Sequence, residues 1–136
     1  MAKGETRRIH LAFTGSGFVD LGLIKDQIPV NDGVMPVNYG YLEGVMNKED
    51  TDHVDVLIFS DQAYKTGDKL EVEIIGMLTR ADGDHKVLAI DGSIKLDSFA
   101  ELPLAEKDLI LKYFSHKSPI ISVDDKTAAL KYLAEC

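Results

Sequence analysis

Residues 49–59 read Glu49-Asp50-Thr51-Asp52-His53-Val54-Asp55-Val56-Leu57-Ile58-Phe59. The stretch opens as a polar, acidic loop, Asn47 to His53, and closes as a strongly apolar strand, Val54 to Phe59. Asp55 interrupts that strand. Side chains alternate along a strand, so Asp55 shares the face of Leu57 and Phe59 and points away from Val54 and Val56. An ionised carboxylate partly buried there needs a counter-charge or a coordinated cation. Two carboxylates about 4 Å apart repel by roughly 4 kcal/mol at an effective dielectric of 20, so Asp50, Asp52 and Asp55 together call for cations or protons. The spacing is not that of an EF-hand loop, which takes oxygen ligands at alternate positions, then Gly, then a distant Glu.

Outward from this stretch the chain is built of short strands. Arg8 to Phe13 alternates, with Ile9, Leu11 and Phe13 on one face, and Gly15-Ser16-Gly17 supplies a turn before a return strand, Phe18 to Leu23. Lys25 to Met35 reads as a loop, and Asn38 to Leu42 as a short strand. Leu70, Val72 and Ile74 alternate with Glu71 and Glu73, and Met77 and Leu78 continue towards a second acidic turn, Asp82-Gly83-Asp84. A strand, Val87 to Ile90, follows it. The period then changes. After Leu102-Pro103, the residues Ala105, Leu109 and Tyr113 fall on a helical face with Ile110 and Phe114. Ile120 to Val123 reads as a short strand. Asp124 or Asp125 is placed to cap a final helix carrying Ala129, Leu130, Leu133 and Ala134. Strands ahead of helices predict an α+β, mainly β fold, and a small closed barrel would hide the strand edges.

The 136 residues suit a single domain, 1–136, whose folding hides roughly two-thirds of the extended chain's surface. Acids number 23 against 15 Lys plus Arg, a net charge of −8 that disfavours nucleic acid or an anionic membrane as main partner. Cys136 is the sole cysteine, which excludes an internal disulfide and a Cys-based zinc site and fits a reduced, cytoplasmic setting. No apolar run approaches the ~20 residues of a membrane span, and MAKGETRRIH lacks the apolar stretch of a secretory signal.

If both acidic turns open at the same end of the sheet, their carboxylates converge with the ammonium of Lys86 at the rim. All-oxygen ligation selects hard cations such as Mg²⁺ or Mn²⁺ over Zn²⁺, and these among carboxylates form a landing site for phosphates. The ordinary alternative for each turn is a solvated surface loop. His10, His53, His85 and His116 read as exposed or supporting residues rather than ligands.

In chain order, Met35-Pro36-Val37-Asn38-Tyr39-Gly40-Tyr41, Asp50-Thr51-Asp52-His53-Val54-Asp55-Val56-Leu57, Ile75-Gly76-Met77-Leu78, Asp84-His85-Lys86-Val87-Leu88-Ala89 and Tyr113-Phe114-Ser115-His116-Lys117 resemble the soluble family I inorganic pyrophosphatases. The family's Asp-x-Asp-Pro-x-Asp-Val-Leu motif is present with its proline replaced by His53. The resemblance implies an OB-like five-stranded closed barrel with two C-terminal helices, and Mg²⁺-dependent hydrolysis of pyrophosphate to two phosphates, with Mn²⁺ as an alternative cation. It implies Asp50, Asp55 and Asp84 as metal ligands, Asp82 as a further ligand, and Asp52 as the general base. Tyr39 and Lys86 correspond to phosphate contacts. Lys117 matches the C-terminal lysine, and Arg8 stands where the family has a phosphate-binding lysine. Family members often form homo-oligomers.

Several features depart from the family. The turn between Asp82 and Lys86 is about three residues shorter, and the N-terminal segment with its metal-associated glutamate is missing. The arginine before the Asn-Tyr-Gly strand is not evident, with Leu21, Lys25 or Gln27 standing in that region. The metal half of the site is therefore largely present while the phosphate-clamping half is thinned. The alternative expectation is a non-catalytic or altered-substrate phosphate- and metal-binding module on the same barrel.

Overall fold

The structure, a computed structural model, describes residues 9–14, 37–46, 53–62, 64, 68–115 and 118–136. Six strands run as β1 (Ile9–Thr14), β2 (Asn38–Met46), β3 (His53–Phe59), β4 (Lys69–Arg80), β5 (Lys86–Ile90) and β6 (Ile120–Asp125). A 3₁₀ turn, Phe99–Glu101, precedes helix α1 (Leu104–Phe114), and helix α2 (Lys126–Ala134) closes the chain. The strand order is β1-β2-β3-β5-β4-β6, and β1 also bonds to β4. The mainly β sheet with two helices is the architecture expected. The sheet has six strands because Ile120–Asp125 pairs along β4, from Gly76 opposite Asp125 to Arg80 opposite Ile120. The expected return strand at Phe18–Leu23 and the Lys25–Met35 loop lie outside the described residues. Among the described residues, no helix is long and apolar enough to cross a membrane.

The neighbours β3 and β5 are parallel, with Asp55 opposite Lys86 and Phe59 opposite Ile90. Strands of this kind are covered on both faces and read as continuous apolar runs. One face sends Val54, Val56, Ile58, Val87 and Ala89 into a cluster that includes Ala129 and Leu133 of α2. The other sends Leu57, Phe59, Leu88 and Ile90 against Ile110, Tyr113 and Phe114 of α1. In β4 the register steps between Ile74 and Gly76. Ile74 and Met77 therefore join the first cluster, and Ile75 and Leu78 the second.

Both helices bury narrower stripes than expected. In α1, Ile110, Tyr113 and Phe114 are buried, whereas Ala105 is exposed and Leu109 only half-buried. The stripe is set by what the sheet offers, including a Tyr39 ring stacked 5.9 Å from Phe114. In α2, Ala129 and Leu133 are buried while Ala134 is exposed, and Asp125 is the cap, its carboxylate accepting the Ala128 N–H at 2.9 Å.

A polar clasp joins the C-terminal ends of β3 and β5. Ser60 Oγ donates to Asp91 Oδ2 at 2.6 Å, Tyr64 hydroxyl donates to the same oxygen, and Ser93 donates to Oδ1 through Oγ (2.7 Å) and its backbone N–H (2.9 Å). Burial by itself would raise the Asp91 carboxyl, but the bonds from Ser60, Tyr64 and Ser93 outweigh it and hold the carboxyl down at about 2. A carboxyl held below its unfolded value of about 3.9 stabilises the fold above that pH and loses the effect as pH falls through the folded value. Asp91→Asn should therefore unfold at lower urea than the parent at neutral pH. The gap between them should close on acidification from about pH 4 to about pH 2. Urea midpoints of both proteins across that range are the check, and a gap independent of pH contradicts it.

Candidate active site

The apolar layer under α1 ends in polar residues on the same face. Two residues before Leu57 stands Asp55, two before Leu88 stands Lys86, and two after Leu78 stands Arg80. Tyr39, opposite Leu57 in the β2–β3 ladder, is half-buried against the same layer. The parallel pairing of Asp55 with Lys86 and the antiparallel pairing of Leu78 with Lys86 bring these side chains to one place.

Lys86 is the centre. The residue is only 4% exposed, and its ammonium donates to Asp55 Oδ2 at 2.6 Å, to the Tyr39 hydroxyl at 2.8 Å and to Asp84 Oδ2 at 3.1 Å. An ammonium has three donors, and each finds an acceptor here. The Tyr39 hydroxyl in turn donates to Asp55 Oδ2 at 2.7 Å. Burial, reinforced by the charge and the hydrogen bond of Asp55, pushes the Tyr39 phenol well above its usual range, so it remains a donor. The Lys86 ammonium also lies 5.4 Å from the centre of the Tyr39 ring.

A second cation stands behind Asp84. Arg80 is buried, its Nη1 donates to the Asp84 carbonyl at 3.1 Å and faces Asp84 Oδ2 at 3.6 Å, and its Nε has no partner among the described residues. The backbone N–H of Arg80 donates to His85 Nδ1 at 2.9 Å, and the His85 ring meets Tyr132 edge-on at 5.2 Å. His85 thus supports the turn from behind. His53 packs 4.5 Å from the Tyr41 ring; Tyr41 stands opposite Asp55 in the ladder and so shares the strand face of Tyr39, two residues before it.

The family profile described as inorganic pyrophosphatase matches residues 20–134. The chain belongs to that family. The inorganic pyrophosphatase of Ureaplasma parvum serovar 3 is 30% identical over 128 residues, which cover 84% of this chain and 70% of the relative. That of Sulfolobus acidocaldarius is 32% identical over 105 residues, covering 70% and 60%. The crystal structure of an inorganic pyrophosphatase from Neisseria gonorrhoeae superposes with a TM-score of 0.75 at 20% identity, over 96% of this chain and 89% of that one, a likeness of fold.

Of the residues expected to form an inorganic pyrophosphatase site, Tyr39, Asp55, Asp84 and Lys86 come together. Asp82 does not join them. Its exposed carboxylate accepts the Asp84 N–H at 3.0 Å within its own turn, and its backbone N–H goes to Ser118 Oγ. Some burial opposes ionisation of Asp82, but the Asp84 N–H, Arg80, Ser118 and Lys86 prevail and lower its carboxyl. Arg8, Asp50, Asp52 and Lys117 lie outside the described residues. Arg80 is the residue that sequence reasoning missed. Its signal is an arginine four residues before Asp84, across a hairpin that sets the two opposite each other.

The donors suit a divalent cation in type. Asp55 and Asp84 offer hard carboxylate oxygens to one point, and Lys86 occupies that point with a single positive charge. They do not complete a site in number, because no group of three His, Cys, Asp or Glu side chains able to hold a metal ion forms among the described residues.

Proposed function

We propose that the chain hydrolyses inorganic pyrophosphate to two orthophosphates with Mg²⁺, or Mn²⁺ in its place. The observation that carries the reading is the convergence of Tyr39, Asp55 and Asp84 on the buried Lys86 in a member of this family. Asp55 and Asp84 would hold the cation, with Asp50 and Asp82 as the further carboxylates. Bound there, a divalent cation supplies Lewis acidity and neutralises phosphate charge.

The chain's own groups supply the rest. Asp52, just ahead of β3, would accept the proton of the attacking water. Lys86 would exchange part of its hold on the carboxylates for a phosphate oxygen, and Tyr39, kept protonated, would donate to another. Arg8 and Lys117 are the remaining cations proposed to face the phosphates. The bonding of β1 to both β2 and β4 supports reading the sheet as an OB-like barrel within one domain, 1–136. A cytoplasmic homo-oligomer completes the reading.

Purified protein given Mg²⁺ and pyrophosphate should release orthophosphate, and excess chelator should stop the release. A chain that binds pyrophosphate saturably but releases nothing with Mg²⁺, Mn²⁺ or Co²⁺ is a binding module, and this proposal then fails. Release from nucleotides or polyphosphates but not from pyrophosphate would overturn the substrate assignment.

A further inference from the structure

We propose that Arg80 is a built-in counter-cation of Asp84, competing there with the divalent cation and so setting the concentration at which the site fills. The inference rests on the reading above that Asp84 takes part in holding such a cation.

Three observations carry it. The first is commitment. The Arg80 side chain is 9% exposed and that of Asp84 34%, so the guanidinium is turned inward on the carboxylate rather than out to water. The second is tethering. Nη1 donates to the Asp84 carbonyl at 3.1 Å while standing 3.6 Å from Oδ2, so the charge is fixed to the main chain of the residue whose side chain it neutralises. The third is the unpartnered Nε, fully buried in the described surroundings. A buried donor without an acceptor is unfavourable, and the polar contacts of the guanidinium among the described residues run to Asp84, its carbonyl at 3.1 Å and its carboxylate at 3.6 Å.

The electrostatic consequence is direct. A cation approaching Asp84 Oδ2 meets Lys86 at 3.1 Å and Arg80 at 3.6 Å from the same oxygen. Lys86 sits on a flexible stem and can turn wholly to Asp55, which it already contacts at 2.6 Å. Arg80 cannot withdraw without breaking its bond to the Asp84 carbonyl, and a guanidinium keeps its charge at any pH a protein survives. Without divalent cations, Asp55 and Asp84 are balanced by Lys86 and Arg80, and the cluster holds its shape. That balance is what an incoming cation must disturb.

Mn²⁺ titrated calorimetrically into the parent, Arg80→Met, Arg80→Lys and Asp84→Asn is the test, with circular dichroism melting of each. Allosteric and competitive couplings of this kind span about 5- to 150-fold, and the partial exposure of Asp84 places this one near the lower end, so Arg80→Met should bind Mn²⁺ about fivefold more tightly. Arg80→Lys, which keeps the charge, should stay within about twofold of the parent. The gain should vanish when Arg80→Met is combined with Asp84→Asn. Arg80→Gln replaces Arg80→Met if the latter does not melt cooperatively. Unchanged or weaker Mn²⁺ binding on loss of the arginine, in a parent that loses affinity with Asp84→Asn, overturns the inference alone. Equal Mn²⁺ binding by the parent and Asp84→Asn overturns the cation reading of Asp84, and the inference with it.

Discussion

Asp52→Asn is expected to slow orthophosphate release by about a thousandfold, within the 10²- to 10⁴-fold range of a lost general base, while leaving the melting temperature nearly unchanged. The substitution is isosteric and removes the proton acceptor together with its negative charge. Lys86→Met should behave differently. Loss of one positioned donor to a developing charge slows catalysis by about 10²- to 10³-fold. It also leaves Asp55 and Asp84 facing each other without the ammonium that bridges them at 2.6 and 3.1 Å. A broken buried pair typically costs 3–5 kcal/mol, but the two carboxylate side chains are 26% and 34% exposed, and screening reduces the loss to about 1–2 kcal/mol. Steady-state kinetics and thermal melts on both variants separate the two roles. Lys86→Met with an unchanged kcat/KM would remove Lys86 from the reaction, and an active Asp52→Asn would remove Asp52.

What the sequence revealed of the site follows from alternation. Asp55 stood out because it continues a face otherwise made of Leu57 and Phe59, and Lys86 because the acidic turn Asp82-Gly83-Asp84 leads directly into it. Their meeting needed only that these two strands be parallel neighbours in register. Asp82 was read as a ligand because its residue type and its turn were right. In the structure its carboxylate accepts the N–H of Asp84, two residues on in the same turn. Arg80 escaped notice because an arginine ending a strand ordinarily marks the passage to solvent. Only the hairpin register, with Leu78 opposite Lys86, sets Arg80 against Asp84. The strand-rich order and both helices were legible from their periods. Which stripe of α1 is buried was not, because a 3.6-residue period fits neighbouring stripes and the choice belongs to the sheet. The extent of β6 was hidden for a similar reason. Its pattern alternates half-buried and exposed residues, Ile120 to Asp125, and its partner is fixed by a contact that no pattern announces.

That contact is at Gly76, and Gly76→Ala should be strongly damaging for a single-methyl change. A Cβ built on Gly76 would stand 2.6 Å from the backbone oxygen of Asp124, against an ordinary carbon contact beginning near 3.4 Å. The obstacle is main chain, so no side-chain rotation relieves it, and β6 must move away from β4. The paired residues at risk run from Gly76 opposite Asp125 to Arg80 opposite Ile120, and they include the Thr79 hydroxyl bonded to the Asp124 carboxylate. Asp125 follows at once and caps α2, so a displaced β6 also disturbs the first turn of the helix that covers Val56 and Ala89. Overpacking of this kind costs about 3 kcal/mol, and the reduced unfolded-state entropy of alanine returns less than 1 kcal/mol of it. For a chain of this size that loss lowers the melting temperature by about 10 °C. Gly92→Ala is the informative comparison. Its φ of 95° strains any side chain, yet no atom lies within 4 Å of its Cβ position, so it should cost only about 1 kcal/mol. Hydrogen exchange should then show β6 amides losing protection in Gly76→Ala and keeping it in Gly92→Ala. Equal melting temperatures for the two variants would mean that β6 yields freely and is not a fixed part of the sheet.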